Sequence, residues 1–513
     1  MTIRQLNTLR CCTLFAILTL SNTARAETRT TTTRSNITIA WKKVIRLSDS
    51  TPTLQVVVNP LLRPESPISH RAFQALQRLH ANYVRFVPWL PYPRLAVAEL
   101  QPPADGKTYW NFKLIDPMVK EFMRATAGHP VIMNFSTVPE WMFKTEGPVA
   151  YPADPNQVFW NYEQGTELTD TSLKTIADYY ARLVSWYTQG GFKDEYGQWH
   201  KSGYHYHFAW WEVLNEVDAE HHMNVQEYSR WYDAITAAIH KVSPATKFIG
   251  IAFAGTSNWN PDDLGWFSYF IKHRHHAPGT PLNMMSYHFY ASPPGNSTSD
   301  QWPGIVFAQA DGFLEKVQEI QNVRRQYNPN VQTDIDEIGT MMPNDNGADQ
   351  VKAMLGNDPY WNLSGAMFAY LFGNLAVQGI QVIGESQLIG YPSQFPSVSM
   401  VNWTTGAPNA RFRVLELLHD NFMPGDTIVH STTNVSGIYA QGFVTPTGSR
   451  KILLVNKLNS PALITIPTAV GAHEEWVDQV TADKRPALRT LHSQQFHLGG
   501  LGVAVITLRQ GSR

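Results

Sequence analysis

Cysteine is nearly absent from this chain. Only Cys11 and Cys12 occur among its 513 residues, and both lie in an N-terminal segment that we expect to be removed. A mature chain without cysteine has no disulfide, no thiolate nucleophile and no cysteine-bound metal. Any chemistry of the mature chain must therefore use other side chains.

A charge excess and the familiar cofactor motifs are also missing. The 41 Lys and Arg nearly balance the 42 Asp and Glu, so nothing favours nucleic acid or an anionic membrane as a partner. There is no phosphate-binding Gly-rich loop and no Gly-x-Ser-x-Gly elbow. The histidines at 205, 207, 221, 222, 273, 275 and 276 lack a ligand spacing such as His-Glu-x-x-His. We therefore expect no metal and no cofactor.

The chain also lacks an apolar run long enough to cross a bilayer. Arg4 and Arg10 precede the apolar stretch Cys11–Leu20, and a small-x-small sequence ends at Ala26. This stretch is about half of the ~20 residues that a spanning helix needs. The pattern predicts a secretory signal cut after Ala26, and hence a protein secreted to the periplasm or the extracellular space without a membrane partner. An N-terminal membrane anchor is the alternative.

What is abundant is apolar and aromatic surface. Hydrophobic residues make up 43% of the chain and charged residues 16%, which predicts a folded chain with a large core. From about residue 54, short β-branched or aromatic runs alternate with amphipathic stretches. The predicted strands are Leu54–Val58, Asn82–Trp89, Pro130–Ser136, His207–Glu216, Lys247–Ala254, Leu282–Tyr290, Val331–Ile338 and Ile380–Leu388. The predicted helices are Ser69–His80, Leu114–Thr126, Ser172–Gln189, Asn224–Val242, Asp262–His276, Asp311–Tyr327, Tyr360–Gln378 and Asn409–Asn421.

Eight strand–helix repeats predict an α/β fold, a closed (β/α)8 TIM barrel. Closure leaves no unpaired strand edge. The alternative, a doubly wound open sheet, would normally place a Gly-rich turn after the first strand. The sequence has Asn-Pro-Leu-Leu at 59–62 instead.

A C-terminal β-sandwich is predicted beyond residue 425, where alternating runs replace the helical period. These runs are Gly437–Val444, Lys451–Asn456, Ala462–Ile466 and Gly502–Leu508. The strand-like segment Asn36–Leu47 is expected to pair with them. The predicted parts are the signal 1–26, an N-terminal strand segment 27–50, the barrel 51–424 and the sandwich 425–513. The sandwich is either a packing partner or a carbohydrate-binding module.

Two glutamates close predicted strands on opposite sides of the barrel. Glu216 ends the fourth strand and Glu337 lies near the end of the seventh, at the barrel end where active sites of this fold lie. A general acid and a nucleophile about 5 Å apart would suit glycoside hydrolysis with retention. Asp334 and Asp336 are rival nucleophiles, but strand alternation predicts that they face away from Glu337.

The sequence around both glutamates resembles a known group of enzymes. Residues Trp211–Glu216, Trp-Glu-Val-Leu-Asn-Glu, resemble the strand-four motif of clan A glycoside hydrolases, and Asp336–Gly339 resembles their strand-seven motif. Within the clan the sequence is most similar to family 39, which includes β-xylosidases and α-L-iduronidases. The resemblance implies a retaining O-glycosyl hydrolase that acts on an oligosaccharide or glycoside. A transglycosylase and an inactive carbohydrate-binding barrel are the alternatives.

The resemblance also implies roles for individual residues. Glu216 would be the acid/base, Glu337 the nucleophile and Asn215 the partner of the sugar 2-hydroxyl, while Arg85 would keep the nucleophile ionised and His288 and Tyr290 would lie beside it. Three tryptophans near strand ends, Trp89, Trp141 and Trp210, can stack on sugar faces or pack in the core; among them Trp141 is assigned to substrate binding. Glu212 and Glu385 are possible supporting groups.

Overall fold

The computed structural model describes residues 32–509 except 146, 148, 161–164, 166, 255–260, 344, 346–358 and 392–394. From Thr33 onward the chain forms one compact unit. The predicted signal segment lies outside the described residues. Within the described part, no helix combines the length and apolarity that crossing a membrane requires.

Strands and helices are numbered here in chain order. The strands are β1 Thr33–Leu47, β2 Thr51–Val57, β3 Val84–Val87, β4 Val131–Met133, β5 Gly191–Lys193, β6 Trp199–Lys201, β7 Trp210–Glu212, β8 Lys247–Phe253, β9 Met284–Ala291, β10 Gln332–Thr340, β11 Val382–Glu385, β12 Thr427–Thr433, β13 Ile438–Val444, β14 Arg450–Asn456, β15 Ala462–Thr465, β16 His473–Val477, β17 Ala487–Thr490, β18 Gln495–Leu498 and β19 Val503–Thr507. The helices are α1 Ser69–Leu79, α2 Pro93–Ala96, α3 Asp116–Ala125, α4 Lys174–Thr188, α5 Val225–Val242, α6 Leu264–Phe270, α7 Trp302–Tyr327, α8 Pro359–Gln378 and α9 Ala410–Asn421.

Eight parallel strands close into a barrel in the order β2, β3, β4, β7, β8, β9, β10, β11, and β11 pairs with β2 to complete the circle. Every predicted barrel strand is present and is followed by its predicted helix, so the predicted barrel is confirmed. Two helices differ in length from the prediction. Helix α7 begins at Trp302, where a proline occupies the first turn, a position that tolerates it. Helix α6 is confined to Leu264–Phe270 because short 3-10 turns flank it.

The barrel interior changes from apolar to charged along its axis. At one end five inward-facing side chains form a separate apolar cluster: Ile132, Trp210, Ile249, Met284 and Val382. Trp210 is 4% exposed there, so it packs in the core and is not a sugar platform. On β9 the inward positions continue through Ser286, His288 and Tyr290 toward the carboxyl ends of the strands, because alternate residues of a strand share a face.

A second, β-rich region forms around β1. Residues Thr33–Asn36 pair in parallel with β15, whereas Ile37–Leu47 pair antiparallel with β12. Strand β1 therefore joins both arms of a nine-stranded sheet. Buried residues from both arms, including Ile37, Ile452 and Ile464, meet in one core. This arrangement confirms the predicted C-terminal β-sandwich architecture, and it ties the N-terminal strand to the C-terminal ones.

Helices α8 and α9 pack against β14, β16 and β19, so they connect the barrel to the β-rich region. A buried ion pair adds to this connection: Arg411 Nε on α9 lies 2.8 Å from Glu385 Oε1 on β11, and neither side chain is exposed. Burial raises the pKa of Glu385 to about 7, against the opposing effect of Arg411. Glu385 thus faces helix α9 and serves the packing of the barrel.

Candidate active site

A cavity of about 390 Å³ opens at the carboxyl ends of the barrel strands, which is where barrel enzymes bind their substrates. Its polar lining residues are Gln55, Asn215, Glu216, Tyr290, Ser292, Glu337, Ser386 and Gln387. Its apolar lining residues are Val57, Val87, Trp89, Trp160, Ala219, Ala254, Met341, Phe395 and Val398. The cavity therefore combines a cluster of ionisable groups with a largely apolar wall.

Glu216 lies where the chain leaves β7. The strand ends at Glu212, earlier than predicted, because Leu214 and Glu216 have φ angles of 65° and 40°, which an L-residue adopts only at some cost and which a strand cannot contain. The backbone N–H of Glu216 donates to the carbonyl oxygen of Ala252 at 2.8 Å. This bond ties the loop to the end of β8 and directs the Glu216 side chain to the cavity.

Both carboxylate oxygens of Glu337 are held by donors. Arg85 Nη1 donates to Oε1 at 2.6 Å, and the Tyr290 hydroxyl donates to Oε2 at 2.6 Å. The Glu337 side chain is 9% exposed, on the cavity side. Charge-assisted bonds of this length are strong and directional, so the position of the carboxylate is fixed before a ligand arrives.

Glu216 and Glu337 face each other around His288. One oxygen of each carboxylate and one ring nitrogen of His288 all lie within 4.8 Å of one another. His288 Nδ1 is 2.8 Å from Glu216 Oε1 and 3.6 Å from Glu337 Oε2. Among the described residues this is also the group whose ligand atoms could hold a metal ion. The separation of the carboxylates matches the ~5 Å spacing of retaining glycosidases and is shorter than the ~6.5–9.5 Å of inverting ones.

The charge state of His288 follows from its neighbours. Burial lowers the pKa of the imidazole, but the negative charges of Glu337 and Asp336 outweigh burial and raise the pKa well above its usual value. His288 is therefore an imidazolium near neutral pH, and its Nδ1–H donates to Glu216 Oε1 with an N···O distance of 2.8 Å.

Asp336 also faces the barrel interior, so the prediction that it faces away from Glu337 is wrong. The pairing of β10 with β9 shifts between Asp334 and Glu337, which marks a bulge. A bulge places two successive residues on the same side of a strand. Arg85 Nε consequently lies 2.9 Å from Asp336 Oδ2 as well as 2.5 Å from Glu212 Oε2.

Arg85 is the centre of this buried network. It is 1% exposed, and beyond its three carboxylates it donates to Gln55 Oε1 at 2.7 Å and to Asn215 Oδ1 at 2.6 Å. Burial raises the pKa of Asp336, but Arg85 and then His288 outweigh this and lower it to about 2. Burial raises the pKa of Glu212 to about 7 despite Arg85. Asp336 therefore carries a full charge while Glu212 is partly protonated.

Asp334 lies deeper on β10, is also buried and pairs with the inward-facing Ser286, so the prediction that it faces away from Glu337 is wrong as well. Burial, followed by the charge of Asp336, raises its pKa well above the usual value. A neutral carboxyl group is a poor nucleophile, so this surrounding argues against Asp334 as a rival of Glu337.

The predicted tryptophans differ in whether they line the cavity. Trp89 lines the cavity, but Trp141 does not: its indole Nε1 donates to the backbone carbonyl of Glu99 at 2.9 Å, and the ring packs against the core. Trp160 and Phe395, which the sequence did not single out, contact Trp89 with ring-centroid distances of 5.4 Å and 6.0 Å. Both belong to loops without a periodic pattern, so no sequence signal identified them.

Several polar residues of the site were also missed, and three of them bond to predicted site residues or to one another. Ser386 Oγ accepts from Gln55 Nε2 at 2.8 Å, and its hydroxyl donates to the Tyr290 oxygen at 2.7 Å. Glu220 Oε1 accepts from Trp89 Nε1 at 2.6 Å and from Asn215 Nδ2 at 2.8 Å. Gln55 interrupts the apolar run of residues 54–58, which was a usable signal, whereas nothing in the sequence distinguishes Ser386 or Glu220.

Comparison with known proteins finds likeness in structure alone. No family model and no curated protein sequence matches the chain. Solved structures match over most of its length. A family 51 arabinofuranosidase from Xanthomonas axonopodis pv. citri has 11% identity and a TM-score of 0.61, over 93% of this chain and all of that chain. An α-L-arabinofuranosidase from Thermotoga maritima has 13% identity and a TM-score of 0.60, over 92% of this chain and 99% of its own.

A family 30 endoxylanase from Clostridium papyrosolvens has 13% identity and a TM-score of 0.54, over 93% of this chain and 100% of that chain. These structures are clan A glycoside hydrolases, and at such low identity they show that this chain shares their fold. The narrower resemblance to family 39 stays a prediction.

Proposed function

We propose that this protein is a retaining O-glycosyl hydrolase. The observation that carries the proposal is the approach of Glu216 and Glu337 to within 4.8 Å at the mouth of the barrel. This spacing leaves no room for the water molecule that an inverting enzyme places between its carboxylates. The motif resemblance and the glycoside hydrolases of the same fold support the same reaction class.

In the first step Glu337 attacks the anomeric carbon and forms a glycosyl ester while the leaving oxygen takes a proton from Glu216. The hydrogen-bonded pair of His288 and Glu216 holds this proton, since His288 Nδ1 and Glu216 Oε1 are 2.8 Å apart. The charge of Glu337 is the largest of the causes that raise the pKa of His288. When Glu337 forms the ester, its carboxylate loses its negative charge. The pKa of His288 then falls, and the proton held between His288 and Glu216 is released toward the leaving oxygen.

In the second step Glu216 removes a proton from water, the water oxygen attacks the anomeric carbon and the ester bond to Glu337 breaks. The negative charge returns to Glu337, where Arg85 Nη1 and the Tyr290 hydroxyl meet it at 2.6 Å each. The returning charge raises the pKa of His288 again. The pair of His288 and Glu216 therefore recovers its proton, and the site is reset.

The substrate and the site of action are parts of the same proposal. The resemblance to family 39 favours a β-xyloside or a related glycoside, with Asn215 at the 2-hydroxyl. The basic and apolar N-terminal segment that ends at Ala26 favours export, so we propose an extracellular or periplasmic enzyme. The apolar wall around Trp89 offers surface for the carbon face of a sugar ring.

Aryl glycosides of different sugars test the proposal. The wild-type protein is expected to cleave at least one of them. Glu216→Ala should lose most activity on a substrate with a poor leaving group but still react with a 2,4-dinitrophenyl glycoside, and azide should restore its turnover. Glu315→Ala, at an exposed position of α7, serves as the control and should keep full activity. Full activity of Glu216→Ala on a natural glycoside would contradict the assignment.

A further inference from the structure

Glu220 does not line the cavity itself but forms hydrogen bonds with two residues that do, Trp89 and Asn215. It follows Glu216 by one turn of chain, and its backbone N–H donates to the Glu216 carbonyl oxygen at 2.7 Å. Its Oε1 accepts the Trp89 indole N–H at 2.6 Å and an Asn215 amide N–H at 2.8 Å. Both donors line the cavity. One carboxyl oxygen thus connects two residues that face a ligand.

These bonds leave Asn215 a single orientation. Arg85 has only donors, and its Nη2 lies 2.6 Å from Asn215 Oδ1. On the opposite side Asn215 Nδ2 donates to Glu220. A flipped amide would set an NH2 group against the guanidinium and a carbonyl oxygen against the carboxyl group, and would lose both bonds. Because the amide nitrogen carries two hydrogens, one N–H remains for a ligand.

We propose that Glu220 is a positioning residue of this site. It holds the amide of Asn215 so that the second N–H meets the 2-hydroxyl of the sugar, and it holds the ring of Trp89 as a fixed wall. This inference rests on the proposed function, because the 2-hydroxyl contact of Asn215 belongs to it. The contacts of Glu220 themselves do not depend on that function.

The surroundings of Glu220 suggest a matched pair of variants. Burial, followed by the charge of Glu216, raises the pKa of Glu220 to about 8, and Glu337 contributes in the same direction. The carboxyl group is therefore mostly protonated near neutral pH while its Oε1 still accepts both bonds. Glu220→Gln reproduces this neutral acceptor. Glu220→Leu has a similar size but removes it.

The first experiment observes Trp89 directly and needs no substrate. In protein labelled with 15N-tryptophan, the indole signal of Trp89 is assigned as the one that disappears in Trp89→Phe. We expect it to shift with pH around 8 in the wild type, to stay near its neutral-pH position at all pH values in Glu220→Gln, and to move to the position of an unbonded indole in Glu220→Leu. If Glu220→Leu does not fold, the test is whether the pH-dependent shift of the Trp89 signal is absent in Glu220→Gln. A Trp89 signal that titrates in Glu220→Gln, or that Glu220→Leu leaves unmoved, would overturn the proposal.

The second experiment separates positioning from general structural support. The probes are 4-nitrophenyl β-D-xyloside and its 2-deoxy analogue. Glu220→Leu should lower kcat/KM up to about 10-fold on the xyloside but less than about 3-fold on the analogue, because the variant weakens one neutral hydrogen bond to the 2-hydroxyl, which the analogue lacks. Glu220→Gln should restore most of the activity on the xyloside at neutral pH. Equal losses on both substrates would overturn the role at the 2-hydroxyl.

The two proposals fail in different ways. If the wild-type protein cleaves neither the xyloside nor any other aryl glycoside, the proposed function fails. The Trp89 signal would still decide whether Glu220 holds the cavity wall. If glycosides are cleaved but the losses of Glu220→Leu are equal on both probes, the function stands and the positioning role at the 2-hydroxyl is refuted.

Discussion

The replacement Tyr290→Phe separates the two chemical steps. It removes the hydroxyl group that donates to Glu337 Oε2 at 2.6 Å and whose oxygen lies 2.7 Å from Ser386 Oγ, and it leaves the ring in place. A hydrogen bond to a charged group contributes about 1.5–3 kcal/mol. In the second step the full charge returns to Glu337, so release of the sugar should slow about 10- to 150-fold, at 1.4 kcal/mol for each factor of ten.

The first step should respond differently. There the carboxylate loses its charge, so the missing bond also makes Glu337 a better nucleophile, and the rate of ester formation should change much less than the rate of release. The covalent intermediate should then accumulate. Stopped-flow measurement with a 2,4-dinitrophenyl glycoside should show a burst of one dinitrophenolate per protein molecule, followed by a slow steady state.

A matched control lies on the same strand. Tyr287 of β9 faces the helices, where it packs against Phe267 and Phe313, so Tyr287→Phe should leave both steps unchanged. If Tyr290→Phe releases the sugar at the wild-type rate, or slows both steps equally, the role that we assign to its hydroxyl is refuted.

Two further predictions concern stability. Arg85→Met leaves Glu212, Asp336 and Glu337 without their shared cation, and urea denaturation should show a loss of about 3–5 kcal/mol in unfolding free energy, as for other buried ion pairs that lose one partner. The control Arg124→Met, from the more exposed pair with Glu121, should lose about 1 kcal/mol or less. Equal losses in the two variants would contradict the buried network around Arg85. His288 has a raised pKa in the folded protein, so its protonation stabilises the fold fully below the unfolded value of about 6.5 and this contribution disappears as the pH rises through the folded value. The difference in unfolding free energy between wild type and His288→Gln should therefore shrink from pH 6 to pH 10, and a constant difference would show that His288 carries no extra proton.

The barrel was predictable because each strand–helix unit has its own local pattern. The alternating runs located all eight strands, and the end of a strand located Glu216 and Glu337. Arg85, His288 and Tyr290 followed from the motif resemblance, and the structure gathers them around Glu337.

The remaining features depend on tertiary structure. Strict alternation placed Asp336 on the wrong side, because the bulge in β10 that turns it inward is held by pairing with neighbouring strands. Trp160 and Phe395 meet Trp89 from distant loops, and Glu220 accepts the indole N–H of Trp89 although the two residues are 131 positions apart in the chain. Long-range contacts of this kind leave no periodic trace in a sequence. In the β-rich region, strands β12 and β16–β18 were missed because they are short or carry exposed polar residues.

The stereochemistry of the first product tests the central claim most directly. The close approach of Glu216 and Glu337 predicts two successive displacements at the anomeric carbon, which together preserve its configuration. Proton NMR, recorded within the first minutes of cleavage of an aryl glycoside and before mutarotation, should show the anomer of the substrate. Appearance of the opposite anomer as the first product would mean a single displacement by water and would contradict the role of Glu337 as nucleophile.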